Sequence, residues 1–303
     1  MNINDQASAL RSMATATLPY QESQFEGSAK GRSESASTMR CLAFTSGKGG
    51  VGKSNLAVNI ALELGGLGNN VTLLDADFGL ANLDLICGIE PVYHLGHVIS
   101  GTKNLDDITI RLSSNVGLVP GGTGIEELAN YSLDEDSPFY SQLASLESTN
   151  DFMLIDTGAG IAENVIGILK AAAEVVVIVT PDPTSIVDAY ATIKVLLRNS
   201  PGKPVSVVVN NVVGVGEGDQ VFQQIRKAVR NFLHSEIHLL GMVSSDSQLQ
   251  DAVREQVPVT QLYPQSPSSR AIRLIARQLD RQNRDGVATT VDAGSFWEML
   301  AVN

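Results

Sequence analysis

The chain has 303 residues, 43% of them hydrophobic and 18% charged, with a formal net charge of −12. That length accommodates one α/β domain of roughly 250 residues with tails, and the acidity repels polyanions, which argues against a broad non-specific DNA-binding surface. Cys41 and Cys87 stand far apart in apolar sequence, so neither a disulfide framework nor a CxxC metal motif is present, as fits a reducing cytoplasm. The N-terminus lacks the apolar segment of a secretory signal, and no apolar run is long enough to span a membrane.

In chain order, residues 2–14 place Ile3, Ala7, Leu10 and Ala14 at helical spacing, with Asn4 or Asp5 available as a cap. So short a helix is unstable alone and reads as one that folds onto a partner. Residues 21–38 are rich in Ser, Gly, Glu and Ala and read as a flexible tether. From Met39 apolar runs alternate with amphipathic stretches. The runs predict strands over 41–46, 71–75, 116–119, 152–156, 175–180, 205–210 and 238–243. Helices are predicted over 53–65, 161–172, 184–198, 218–234, 246–254 and 266–282. Residues 121–150, with Gly121, Gly122, Gly124 and the acidic Asp134–Asp136, read as helix plus loop at a sheet edge. The strands are continuous Val/Ile/Leu runs, as expected when both faces of a parallel sheet are covered. The expected fold is therefore α/β, a doubly wound, mostly parallel sheet with helices on both faces. The expected division is an N-terminal helix (1–20), a linker (21–39), one α/β domain (40–284) and a C-terminal tail (285–303).

Residues 45–54 read Thr-Ser-Gly-Lys-Gly-Gly-Val-Gly-Lys-Ser. Gly47, Gly52, Lys53 and Ser54 satisfy G-x-x-x-x-G-K-[ST], a phosphate loop, and it lies where the motif requires, between a strand and a helix. With Gly49, Gly50, Val51 and Asn55 it forms the expected nucleotide-binding stretch. Lys53 is assigned to the β/γ-phosphates and the Ser54 hydroxyl to Mg²⁺. Lys48 is an additional lysine at the start of the loop. It reaches a second nucleotide more easily than its own, which points to catalysis across a dimer.

Carboxylates follow the strands. Asp156, after an apolar run, fits a residue that holds Mg²⁺ through water, and Asp77, two residues beyond Asp75 at the start of a loop, can orient the attacking water. Taken singly, each also fits a helix cap or a turn. Asn210 at the end of the 205–210 strand fits either an amide facing adenine or a turn asparagine. Phe296, Trp297, Met299 and Leu300 form an apolar cluster near the C-terminus, with two readings: an amphipathic membrane-targeting helix, or docking on the protein's own surface. Arg270, Arg273, Arg277, Arg281 and Arg284 make one helix face basic, either simply solvated or set beside anionic lipid next to that tail.

Taken together, the 46–54 loop, Asp75-Ala-Asp-Phe-Gly-Leu-Ala-Asn-Leu-Asp84 and Asp156-Thr-Gly-Ala-Gly160 resemble the MinD/ParA group of deviant Walker A ATPases over about residues 40–280. The resemblance implies ATP and Mg²⁺ as ligands and an ATP-bound sandwich homodimer in which Lys48 contacts the partner's phosphates. It implies that Asp77 and Asp156 are the aspartates of two nucleotide-sensing switches and that Asn210 contacts adenine. Asp188 occupies a position linked in that group to partner and membrane communication. Thr157-Gly158 departs from the commoner Thr/Cys-Pro pair. Asp5-Gln6-Ala7-Ser8-Ala9-Leu10-Arg11 is similar to the D-Q-A-x-x-L-R element of the flagellar-number branch, FlhG/FleN. In that branch the element stimulates the flagellar GTPase FlhF, and the ATPase restrains a FleQ-like transcription activator. The implied location is the cytoplasm, with reversible attachment to the inner membrane. The competing readings are a ParA-type DNA-partition or division-site ATPase and a nucleotide-binding scaffold; an iron–sulfur carrier is disfavoured by the cysteine spacing.

Overall fold

The computed structural model describes residues 39–77, 82–122, 138–286 and 296–302. The N-terminal helix, the tether and the residues Asp5, Gln6, Ala7, Leu10 and Arg11 lie outside them. In order, the elements are β1 (Arg40–Ser46), α1 (Lys53–Gly66), β2 (Val71–Ala76), α2 (Leu83–Cys87), α3 (Leu95–Ile99), α4 (Leu105–Ile108), β3 (Ile110–Ser113), β4 (Val116–Val119), α5 (Pro138–Thr149), β5 (Phe152–Thr157) and α6 (Glu163–Ala171). There follow β6 (Glu174–Val179), α7 (Pro183–Asn199), β7 (Val205–Val212), α8 (Val215–Leu233), β8 (His238–Ser244), α9 (Ser247–Arg254), α10 (Val259–Leu262), α11 (Pro267–Arg284) and α12 (Phe296–Val302). The strands form one eight-stranded sheet ordered β3-β4-β2-β5-β1-β6-β7-β8. Every neighbouring pair is parallel except β3–β4.

Strand side chains alternate between two apolar layers, which is why the strands read as continuous hydrophobic runs. Cys41, Ala43, Met153, Ile155, Val175 and Val177 join a core with helices α3 to α8. Leu42, Phe44, Phe152, Leu154, Val176 and Ile178 face the other way, onto α1, α2, α10 and α11. The edge strand β3 was not expected from the sequence: it is short, half exposed and carries Arg111, and only its antiparallel pairing with β4 defines it. The short helices α2, α3, α4 and α10 were likewise missed, since four or five residues do not establish a helical period. Within 121–150 the described helix is α5, and its Leu143 is buried in the first core.

Of the two readings of the C-terminal cluster, docking on the protein's own surface is the one found, which corrects the membrane-facing one: Phe296, Trp297 and Leu300 are 4%, 2% and 3% exposed and pack into the first core beside α6. The Phe296 and Trp297 rings stack edge-to-face with centroids 4.9 Å apart. Their large apolar area is removed from water by the protein itself. The arginine stripe on α11 lies over the opposite face of the sheet, because α11 belongs to the second core. Tail and stripe therefore do not form one lipid-facing surface. Arg273 pairs with Glu63 and Arg284 with Asp280.

Candidate active site

The strand order reverses around β1, whose neighbours are β5 on one side and β6 on the other: the connection after β1 leads toward β2 and those after β5 and β6 lead the opposite way. In doubly wound sheets such a switch point, outside the carboxyl ends of the strands, is where ligands bind. The segment 47–52 lies there, between β1 and α1. Gly50 and Gly52 take φ values of 79° and 89°, a left-handed conformation that L side chains rarely adopt. A β-carbon on Gly47 would lie 2.1 Å from the Asp188 backbone carbon, and one on Gly52 2.4 Å from Asn210 Nδ2. The loop is thus clamped from α7 and from the end of β7. Around Gly49 and Gly50 a β-carbon would meet no described atom within 4 Å, so the outer rim of the loop is open. The first turn of the 14-residue helix α1 adds the positive end of its dipole to the same place.

Lys53 Nζ donates to Asp156 Oδ1 at 2.6 Å and to Ser54 Oγ at 3.3 Å. Burial pushes the Asp156 carboxyl up, and the Lys53 ammonium opposes that. Asp75 sits beside Asp156 in the parallel β2–β5 register. Its carboxylate accepts from the backbone N–H groups of Asp77 and Leu83. Burial first, and Asp156 second, push Asp75 up to about 7. Asp75 therefore keeps its proton in the folded chain at a pH where the unfolded chain has released it. Its contribution to stability is complete below the unfolded value near 4 and is lost as pH rises toward 7. We expect a loss on the order of 2–3 kcal/mol between pH 5 and 7 in the nucleotide-free protein. Urea midpoints across that range measure it, and Asp75→Asn should flatten the profile.

Asp77 sits half-buried at the exit of β2, and a β-carbon on Gly158 would lie 3.5 Å from its Oδ1, so the segments that follow β2 and β5 meet here. Thr157 anchors the segment after β5 by donating from Oγ1 to the Phe44 carbonyl at 3.0 Å, and Gly160 N donates to the Ser46 carbonyl at 2.8 Å. The structure places Asn210 against the loop: its Nδ2 donates to the Val51 carbonyl at 2.8 Å, so this amide group braces the phosphate loop. Asp188 lies half-buried on α7 with its backbone against Gly47.

Lys53, Ser54, Asp156, Asp75 and Asp77 thus converge as the sequence predicts. Lys48 does not join them. Its Nζ donates to Asp182 Oδ2 at 2.5 Å and to Thr184 Oγ1 at 2.8 Å, at the start of α7. Asp182 was missed as a site residue. Asp182-Pro-Thr is a helix-start signature, and nothing in the linear sequence shows that it lies beside residue 48.

A glycine loop at a switch point, a buried lysine–aspartate pair and a hydroxyl at the start of the helix define a nucleotide-binding protein of the phosphate-loop class. The sequence model of the CobQ/CobB/MinD/ParA nucleotide binding domain matches residues 42–259, and the chain belongs to this family of nucleotide-binding ATPases. It is 35% identical over 242 residues to the antiactivator FleN of Pseudomonas aeruginosa, covering 80% of this chain and 86% of that protein. It is also 35% identical over 262 residues to the flagellum site-determining protein YlxH of Helicobacter pylori, covering 86% and 88% respectively. Among solved structures, MinD in the MinC:MinD cell division protein complex of Aquifex aeolicus matches with a TM-score of 0.64 at 26% identity, covering 80% of this chain and 96% of that one.

Proposed function

We propose that this ATPase is a dimerisation switch that regulates flagellar number or placement. The observation that carries this reading is the similarity, over four-fifths or more of the chain, to an antiactivator and to a flagellum site-determining protein. ATP and Mg²⁺ are the ligands we assign. The open rim at Gly49 and Gly50, on the loop that leads into Lys53 and Ser54, and the Lys53–Asp156 pair supply a donor set that suits a Mg²⁺–triphosphate. Ser54 and Asp156 would hold the metal, Asp156 through water, and the ion would offset charge on the phosphates. Lys53 binds the β/γ-phosphates, Asp77 orients the attacking water, and Lys48 reaches the phosphates of the second subunit. The amide oxygen of Asn210 is the acceptor we assign to the adenine amino group.

In this reading the N-terminal segment with Asp5, Gln6, Ala7, Leu10 and Arg11 stimulates the FlhF-type GTPase, and the α7 surface around Asp188 addresses a FleQ-like transcription activator. The protein works in the cytoplasm. Among the described residues no helix is long and apolar enough to cross a membrane, and reversible attachment through the tail would first require α12 to leave its core. A second reading, a positioning ATPase for another cargo, is supported by the likeness to MinD.

The deciding measurement is GTP turnover by the flagellar GTPase with a peptide of residues 1–20, beside the Gln6→Ala peptide. We expect stimulation that disappears with the substitution. No stimulation by either the peptide or the whole chain would leave the second reading in place.

A further inference from the structure

The flagellar reading leaves the arginine face of α11 unused. Arg270, Arg273, Arg277, Arg281 and Arg284 share a stretch whose one acid is Asp280, in a chain of 33 acidic and 21 basic residues. We propose that this face docks an acidic amphipathic helix of a partner protein. That helix would carry carboxylates at matching spacing around an apolar side chain.

The five arginines divide into two sets. Arg273 donates to both carboxylate oxygens of Glu63 on α1, and Arg284 donates to Asp280, which also accepts from Asn69. Arg40, at the start of β1, donates to the Leu279 carbonyl and to Gln282 Oε1. With Ile272, Ile275, Ala276 and Leu279 buried beneath, these contacts fasten α11 as a rigid platform. Arg270, Arg277 and Arg281 are exposed and, among the described residues, make no ion pair or side-chain hydrogen bond. On an α-helix this spacing sets them within about 20° of one line, roughly 16 Å long. Leu274, 65% exposed, stands beside that line between Arg270 and Arg277.

Two features select a protein as the partner. Every cation on the face is arginine and none is lysine. Solvation alone does not require that choice. A guanidinium fork grips a carboxylate through two hydrogen bonds and is weakly hydrated, and protein interfaces are enriched in arginine and depleted in lysine. The exposed leucine among the charges is the second feature, because it supplies the dry centre of a protein contact and gives a phosphate backbone nothing to bind. A nucleic acid would also meet the repulsion of a chain with net charge −12. An anionic membrane calls for a broad apolar face beside the cations, and the apolar C-terminal residues lie in the opposite core. A helix repeats its carboxylates at the spacing these arginines present.

The test titrates the full chain into a fluorescent helical peptide with glutamates at the spacing of the three free arginines and leucine between them. Physiological ionic strength screens distant charges. The glutamine version of the peptide, a random-sequence DNA duplex and phosphatidylglycerol vesicles are measured beside it. Saturable binding of the glutamate peptide is expected, and little of the glutamine one. An exposed arginine–carboxylate pair is worth roughly two- to fivefold, so Arg270→Gln, Arg277→Gln and Arg281→Gln together should weaken binding by about ten- to a hundredfold. Leu274→Ala should weaken it by about threefold or more. Arg198→Gln, Lys227→Gln and Arg254→Gln together remove the same charge elsewhere and should leave it within about twofold. All six positions are exposed and helical, and glutamine is a good helix former, so the variants keep their fold. Absent binding, binding that survives the α11 substitutions, an equal loss in the control variant or an unaffected Leu274→Ala overturns the proposal. Tighter binding of DNA or vesicles than of the peptide, through the same three arginines, overturns it in favour of a phosphate-bearing partner.

Discussion

Lys53→Ala should reduce ATP turnover by at least about a hundredfold, the usual cost of removing a preorganised electrostatic contact to a reacting centre. Phosphate release at saturating ATP measures this, and turnover within tenfold of the parent would contradict the role given to Lys53. The structure adds a second consequence that a mobile surface lysine would not produce. Asp156 is 1% exposed and lies beside Asp75. Without its cation it becomes an uncompensated buried carboxylate, and breaking such a pair from one side costs about 3–5 kcal/mol. The folded chain can escape part of that cost only by binding a proton. Burial already pushes Asp156 up, and Lys53 is the first group working against that rise. The nucleotide-free variant should therefore lose stability more steeply than the parent as pH rises toward neutrality, because each further rise in the folded-state pKa widens the range over which the unfolded chain is the better acid. Melting curves at matched ionic strength from pH 5 to 8 would show it.

Trp297→Ala should destabilise the isolated protein by about 3–5 kcal/mol, the range for removing a large aromatic side chain from a packed core. For a chain of this size that is a fall in Tm on the order of 10 °C. A solvent-facing membrane anchor would give a change within about 0.5 kcal/mol, so the experiment separates docking from exposure. Trp297 is the one tryptophan in the sequence. The comparison therefore needs circular dichroism, and the parent's indole fluorescence is left as an independent reporter of whether α12 departs. Emission that stays that of a buried indole, and is not quenched by brominated lipid, when anionic vesicles and ATP are added together would place the tail in its core throughout.

The fold class and the phosphate chemistry were legible because both are written in short-range patterns. Two-sided apolar strands, helices between them and a glycine loop ending in Lys-Ser each follow from chemistry within a few residues of one another. Asp75 was visible as a strand-end carboxylate. Its raised pKa was not, because that depends on the β2–β5 register, which sets Asp156 beside it. The roles of Asn210, Lys48 and the tail were open for the same reason. An asparagine at the end of β7 faces base or loop according to how closely β7 approaches Gly52. A lysine at the start of a phosphate loop points inward or outward according to whether a carboxylate such as Asp182 lies within reach. Apolar residues near a C-terminus bind lipid or core according to whether helices such as α6 leave a space for them.

The sequence by itself determined the doubly wound sheet, the loop that holds phosphate and the aspartates that accompany it, since local spacing and hydrophobic pattern are enough to specify them. Only the tertiary structure decided where Lys48 rests, what Asn210 braces, and that Phe296, Trp297 and Leu300 belong to the core opposite the arginine face of α11. Each of those depends on contacts between residues far apart in the chain, and such contacts are fixed by packing rather than by neighbours in sequence.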